Sequence, residues 1–205
     1  MDAQQDIRQK IAALVDEYAK LKYAPQTFKP GETIIPPSGK VLDAAELKSM
    51  VEASLDAWLT TGRFNDAFEK KLRDFLGVKF LMTTNSGSSA NLIALTSLTS
   101  PKMGERKIFP KEEVITVAAG FPTTVTPIIQ NDLVPVYVDI DLETYTANEE
   151  ALESAISPKT KAIMMAHTLG NPFNLDLVDR LVKQHNLWVV EDSCDALGGT
   201  YKGQN

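Results

Sequence analysis

Apolar positions recur at helical spacing in the first third of the chain and in short unbroken runs in the rest. Ile7, Ile11, Leu14, Val15, Tyr18 and Leu21 fall on one helical face, which predicts a helix over 3–22. A proline-rich stretch follows, from Pro25 through Pro30, Pro36 and Pro37 to Gly39, and reads as an extended connector. Two more helices are predicted near Ala44–Leu59 and Asn65–Leu76, with a helix stop and polar loop at Trp58-Leu59-Thr60-Thr61-Gly62-Arg63. From residue 79 the pattern changes. Apolar strands are predicted at Lys79–Thr84, Glu113–Val117, Val134–Asp139, Ala162–Ala166 and Leu187–Glu191. Helical stretches fall between most of them, at Ser88–Thr99, Pro122–Gln130, Asn148–Ile156 and Leu175–His185. Strands that are apolar throughout and separated by helices predict an α/β fold, a mostly parallel sheet with helices on both faces.

Composition narrows this picture mainly by exclusion. The 205 residues are 43% hydrophobic and 23% charged, which fits a globular chain with a substantial core rather than a disordered one. No apolar run approaches the roughly 20 residues needed to cross a bilayer, and the first 21 residues are too charged for a secretory signal, so no membrane association and a cytoplasmic location are expected. A net charge of −6, with scattered Lys and Arg, argues against nucleic acid as a partner. Cys194 is the single cysteine, so the chain alone cannot form an internal disulfide or supply the usual ligands of a zinc or iron–sulfur site. The turn-rich run Gly198-Gly199-Thr200-Tyr201-Lys202-Gly203-Gln204-Asn205 follows a strand without a closing helix, which raises the expectation that the domain is incomplete.

Open α/β sheets bind ligands beyond the carboxyl ends of their strands, and four segments fall there. In Thr83-Thr84-Asn85-Ser86-Gly87-Ser88-Ser89-Ala90-Asn91, small residues and a glycine turn leave amide N–H groups at a helix N-terminus, suited to a phosphate. The same residues also make an ordinary Ser N-cap. Neither a Walker A motif nor a G-x-G-x-x-G fingerprint is present. Glu191-Asp192 ends an apolar strand, and alternation sends the two carboxylates to opposite faces. One of them is able to hold a metal, act as a base or pair with a protonated ring nitrogen; the alternative is a solvated strand end. Phe121 follows Gly120 and suits a flat ring, or the core. His167 is an acid–base candidate or a hydrogen-bonded structural residue.

Taken together, Trp58-Leu59-Thr60-Thr61-Gly62, Phe68-Glu69, Asn85-Ser86-Gly87-Ser88-Ser89-Ala90, Val136-Tyr137-Val138-Asp139, His167-Thr168-Leu169-Gly170 and Glu191-Asp192 resemble, in order and spacing, the DegT/DnrJ/EryC1/StrS sugar aminotransferase family of fold-type I pyridoxal-phosphate enzymes. Within it, Pro36-Pro37-Ser38-Gly39-Lys40, Gly62-Arg63-Phe64-Asn65-Asp66, Ala118-Ala119-Gly120-Phe121-Pro122 and Cys194-Asp195-Ala196-Leu197-Gly198 are similar to the CDP-4-keto-6-deoxy-glucose 3-dehydrases of bacterial surface-polysaccharide synthesis. The resemblance implies the N-terminal portion of an aspartate aminotransferase-like large domain over 41–205, preceded by a helix and connector over 1–40. It implies that Gly87, Ser88 and Ser89 hold the phosphate of pyridoxamine phosphate or pyridoxal phosphate, that Phe121 stacks on the ring, and that Asp192 pairs with the ring nitrogen. His167 is implied to support that carboxylate, and Asp195 stands where other members often carry Gln or His.

Cys194 is implied to join three later cysteines around a [2Fe–2S] cluster in the full-length protein; a small buried thiol is the other reading. The residue that is Lys in the aminotransferases and His in the dehydrases is implied to lie beyond Asn205, leaving this stretch alone inactive. The implied partners are a CDP-linked 4-keto-6-deoxy sugar, an NADH-dependent reductase and a second copy of the chain. Two other functions stay open, an ordinary pyridoxal-phosphate sugar aminotransferase and a non-catalytic binding or assembly partner.

Overall fold

In the computed structural model, residues 3–36 and 39–204 are described; Pro37 and Ser38, part of the predicted connector, lie outside them. Contacts divide the chain into two units, Met1–Leu72 and Arg73–Asn205. This division falls inside the stretch that the sequence assigns to the transferase domain.

The first unit is helical. Helix α1 (Ala3–Lys22) and helix α2 (Ala44–Leu55) are tied by charge, with Arg8 donating to Glu52 at 2.6 Å and to Asp56 at 3.1 Å, and Lys48 meeting Asp16 at 2.8 Å. Asp43 and Glu46 form a capping box at the start of α2. Arg63, which begins helix α3 (Arg63–Leu76), bonds Asp56 at 2.6 Å, and this bond holds the Asp56 carboxyl below its ordinary range. Helix α2 stops at Leu55, short of the predicted Leu59. Asp56 caps it and Ala57 takes a left-handed conformation (φ 51°), which a helix cannot continue through.

The second unit holds the sheet. Strands β1 (Glu113–Val117), β2 (Val134–Val138), β3 (Thr160–Ala166) and β4 (Trp188–Asp192) pair in the order β2-β1-β3-β4, all parallel. Helices α4 (Gly87–Leu98), α5 (Pro122–Gln130), α6 (Glu149–Ser154) and α7 (Leu175–His185) cover it. Alternation along the strands builds two cores. Val114, Ala162 and Met164 pack with Leu95 and Leu98 of α4 and Ile128 of α5. Ile115, Val117, Ile163 and Met165 pack on the other face with Leu152 of α6 and Leu177, Val178 and Leu181 of α7. Each fully buried side chain of this size contributes about 1.5–3 kcal/mol.

Two expectations about the fold are corrected. The segment 79–84 is not a strand, because among the described residues no strand pairs with it; Phe80 and Met82 are exposed. The turn expected at Gly87 is made by Ser86, whose extended backbone (φ −163°, ψ 160°) caps α4, while Gly87 is already helical.

Candidate functional site

The order β2-β1-β3-β4 places a topological switch between β1 and β3, since the chain leaves β1 toward one neighbour and later returns to the other. The loops leaving the carboxyl ends of such strands diverge and open a crevice. The loop after β1 carries Phe121, the loop after β3 carries His167, and Asp192 ends β4.

Asp192 is the meeting point on the face covered by α4 and α5. Its Oδ2 accepts from Asn91 Nδ2 at 2.7 Å and from Thr124 Oγ1 at 2.7 Å. Its Oδ1 accepts from the main-chain N–H of Cys194 at 3.2 Å. Asn91 lies one turn after Ser88 on α4, and Thr124 lies in the first turn of α5, which Phe121 caps. The carboxylate thus joins the second turn of α4 and the first turn of α5 to the end of the sheet. Ser88 and Ser89 face Thr123 and Thr126 across a cavity of about 190 Å³.

At the start of α4, Ser86 Oγ accepts from the N–H of Ser89 at 3.1 Å and donates to Ser89 Oγ at 3.1 Å. The N–H groups of Gly87 and Ser88, as the first of the helix, have no intrahelical acceptor. A Cβ added at Gly87 would have no neighbour within 4 Å among the described residues. Phe121 is 67% exposed.

His167 belongs to the opposite face. The resemblance implies that it supports Asp192; its ring instead bonds Glu191, with Nε2 and Oε2 2.9 Å apart, and stacks on Phe173 at 4.4 Å between centroids. Only its main-chain N–H reaches residue 192, donating to the carbonyl at 3.1 Å. Strand alternation explains this, because Asp192 shares a face with Trp188 and Val190, whereas Glu191 shares one with Val189. A cavity of about 580 Å³ on this side is lined by His167, Glu191, Asp176 and Tyr201 among others. Asp195 turns toward the β3 loop, where its Oδ2 accepts from Leu169 N–H at 3.3 Å.

Asn91 closes the first strand-end segment that the sequence points to and Thr124 follows Phe121 in another, but the sequence gives neither of them a role of its own. Asn91 carries a signal: it is polar in an otherwise apolar run, Ala90-Asn91-Leu92-Ile93-Ala94-Leu95, and is 8% exposed. Thr124 stands among three threonines in Pro122-Thr123-Thr124-Val125-Thr126, and nothing local marks it. A further cavity of about 610 Å³ lies within the first unit around Trp58, Thr61 and Arg63; its lining holds none of the expected contacts.

Cys194 is exposed and carries no disulfide. Among the described residues no group of three or more His, Cys, Asp or Glu side chains is placed to hold a metal ion. A [2Fe–2S] cluster takes four protein ligands, so these residues by themselves do not fit one. Among the described residues, no helix is long and apolar enough to cross a membrane.

A parallel sheet with helices on both faces, with a phosphate-suited helix start and a strand-end carboxylate at the carboxyl ends of its strands, defines an α/β scaffold with one candidate ligand site there. Comparison gives the family: residues 41–205 match the DegT/DnrJ/EryC1/StrS aminotransferase family, and the chain belongs to it. It is 61% identical over 199 residues to the lipopolysaccharide biosynthesis protein RfbH of Salmonella typhimurium, covering 97% of this chain and 46% of that one. It is 48% identical to a dTDP-4-dehydro-2,6-dideoxy-D-glucose 3-dehydratase of Saccharopolyspora spinosa, covering 97% and 43%. Among solved structures, E. coli GDP-4-keto-6-deoxy-D-mannose-3-dehydratase with bound hydrated PLP superposes with a TM-score of 0.77 at 30% identity, over 83% of this chain and 43% of that one. The chain therefore spans under half the length of the curated relatives it matches.

Proposed function

We propose that this chain is the cofactor-holding part of an enzyme that removes the C3 hydroxyl of a CDP-linked 4-keto-6-deoxy sugar as water, using pyridoxamine phosphate. The observation that carries the reading is the junction at Asp192, where one carboxylate ties the N-terminal parts of α4 and α5 to the end of β4. The donor set suits the cofactor. Amide N–H groups at Gly87 and Ser88, with the Ser89 hydroxyl, match a phosphate at a helix N-terminus. The exposed Phe121 ring matches the face of a pyridine. The Asp192 carboxylate matches a ring N–H.

When bound, the cofactor supplies an electron sink for the sugar carbon joined to its amine. Asp192 keeps a proton on the ring nitrogen, which strengthens that sink. Phe121 fixes the plane of the ring, and the start of α4 fixes its far end. The lost hydroxyl and the CDP group come from the resemblance to the dehydrases; the 3-dehydratase names of the relatives support the former. We further propose a dimer and an NADH-dependent reductase as partners of the whole protein. No step is assigned to an iron–sulfur cluster.

The test is to mix the intact protein with pyridoxamine phosphate, desalt it and read the near-UV absorbance. Retention of about one cofactor per chain is the expected result, and none retained overturns the reading. A transaminase is the second reading, favoured by the family's description. It predicts Lys rather than His within the next ~30 codons, about one βα unit. It also predicts amino transfer from an amino-acid donor instead of loss of water.

A further inference from the structure

We propose that Asn91 and Thr124 are positioning residues that lock the Asp192 carboxylate in one orientation, so that Oδ1 alone is left to meet the cofactor's ring N–H. The inference rests on the reading of Asp192 given above and adds two residues and a choice of oxygen to it.

Oxygen Oδ2 accepts two hydrogen bonds, from Asn91 Nδ2 and Thr124 Oγ1, each at 2.7 Å. A carboxylate oxygen has two lone pairs in its plane, so these donors fill it. Oδ1 accepts one main-chain N–H, from Cys194 at 3.2 Å, and has a lone pair left. Both side-chain donors are buried, Asn91 at 8% and Thr124 at 2% exposure. Water does not compete well for them, and each would be unsatisfied without the carboxylate.

The sequence explains why Asn91 is held so firmly. Pro127 lies inside α5 and has no N–H, so the carbonyl of Thr123, four residues earlier, lacks its helical donor. Asn91 Nδ2 approaches that carbonyl at 3.4 Å as well as Asp192. Two acceptors on the same atom identify it as the amide nitrogen and fix the amide's orientation. Asn91 thus spans a gap in one helix and the carboxylate at once, while Thr124, the residue after Thr123 in α5, bonds the same oxygen.

The experiment uses the intact protein and its Asn91→Leu, Thr124→Val, Thr124→Ser and Asp192→Asn variants, each checked for folding by circular dichroism. Two quantities are read: the Kd for pyridoxamine phosphate, and the pH at which the bound cofactor's near-UV band reports loss of the ring proton. We expect Asn91→Leu and Thr124→Val each to bind about tenfold more weakly, the effect of one hydrogen bond to a charged group. The ring proton should be held about tenfold less tightly in both. Thr124→Ser should restore binding to within about twofold. Adding Asn91→Leu to Asp192→Asn should cause little further loss, because the donor then has no carboxylate to orient.

If Asn91→Leu and Thr124→Val fold and behave like the parent while Asp192→Asn loses the cofactor, the positioning role is overturned and the cofactor site stands. If Asp192→Asn itself binds like the parent, the reading of Asp192 fails, and the inference with it. Should Asn91→Leu not fold, the nearly isosteric Thr124→Val with its serine rescue decides the matter.

Discussion

Glu191 and Asp192 are adjacent acidic residues at the end of one strand, yet they sit in different chemical surroundings. Asp192 faces α4 and α5 and collects neutral donors from two helices. Glu191 faces the other way, is half exposed, and holds the ring of a buried histidine already stacked on Phe173. The two-residue period of a strand is the whole cause of the division. It lets one dipeptide offer a carboxylate to the candidate site on one face and hold the His167 ring on the other.

The comparison is broken most directly by Asp192→Ala. This change strips Asn91 and Thr124 of their acceptor and should abolish cofactor retention after desalting, with a stability cost of about 1–3 kcal/mol per stranded donor. Retention at the parental level would show that the α4/α5 face has no special role. Glu191→Ala should do the reverse. Among the described residues His167 Nδ1 already has no partner, and removing Glu191 takes away the one that Nε2 has there. A loss of about 1–3 kcal/mol in urea unfolding is expected, with the cofactor still bound. Equal loss of cofactor in both variants would erase the distinction.

The smallest effect on folding should come from Gly87→Ala. Its new Cβ meets open space, so stability should stay within about 0.5 kcal/mol, read as an unchanged denaturation midpoint. Binding should nonetheless weaken several-fold, because the added methyl enters the room expected to hold the phosphate. Unchanged binding would place the phosphate elsewhere.

Much of this arrangement is legible in the order of apolar and polar residues. Helices α5 and α7 begin and end where the periodicity predicts, and the four sheet strands agree to within two residues at either end. Unbroken apolar runs between helices carry that information because both faces of the sheet are buried. The opposite orientation of Glu191 and Asp192 also follows from alternation. What is not legible depends on distance along the chain or on backbone state. The 79–84 segment has the apolar pattern of a strand, but a strand exists only through a partner, which pattern does not report. The left-handed Ala57 ends α2 without a glycine to announce it. The partner of His167 escapes a reading by resemblance, because closeness to Asp192 says nothing about which face the ring takes.

The hydrogen bond between Asn91 and Asp192 closes a stretch of 101 residues. That stretch carries all four strands, and β4 joins the sheet only through β3, which pairs in turn with β1. Ordering so long a loop is entropically unfavourable, though the penalty grows only slowly with length. The bond therefore requires β4 to be seated on β3, and a chain with that strand unpaired lacks it. If the site holds the cofactor as proposed, binding is tied to the completed sheet, and free cofactor should favour the folded chain by mass action.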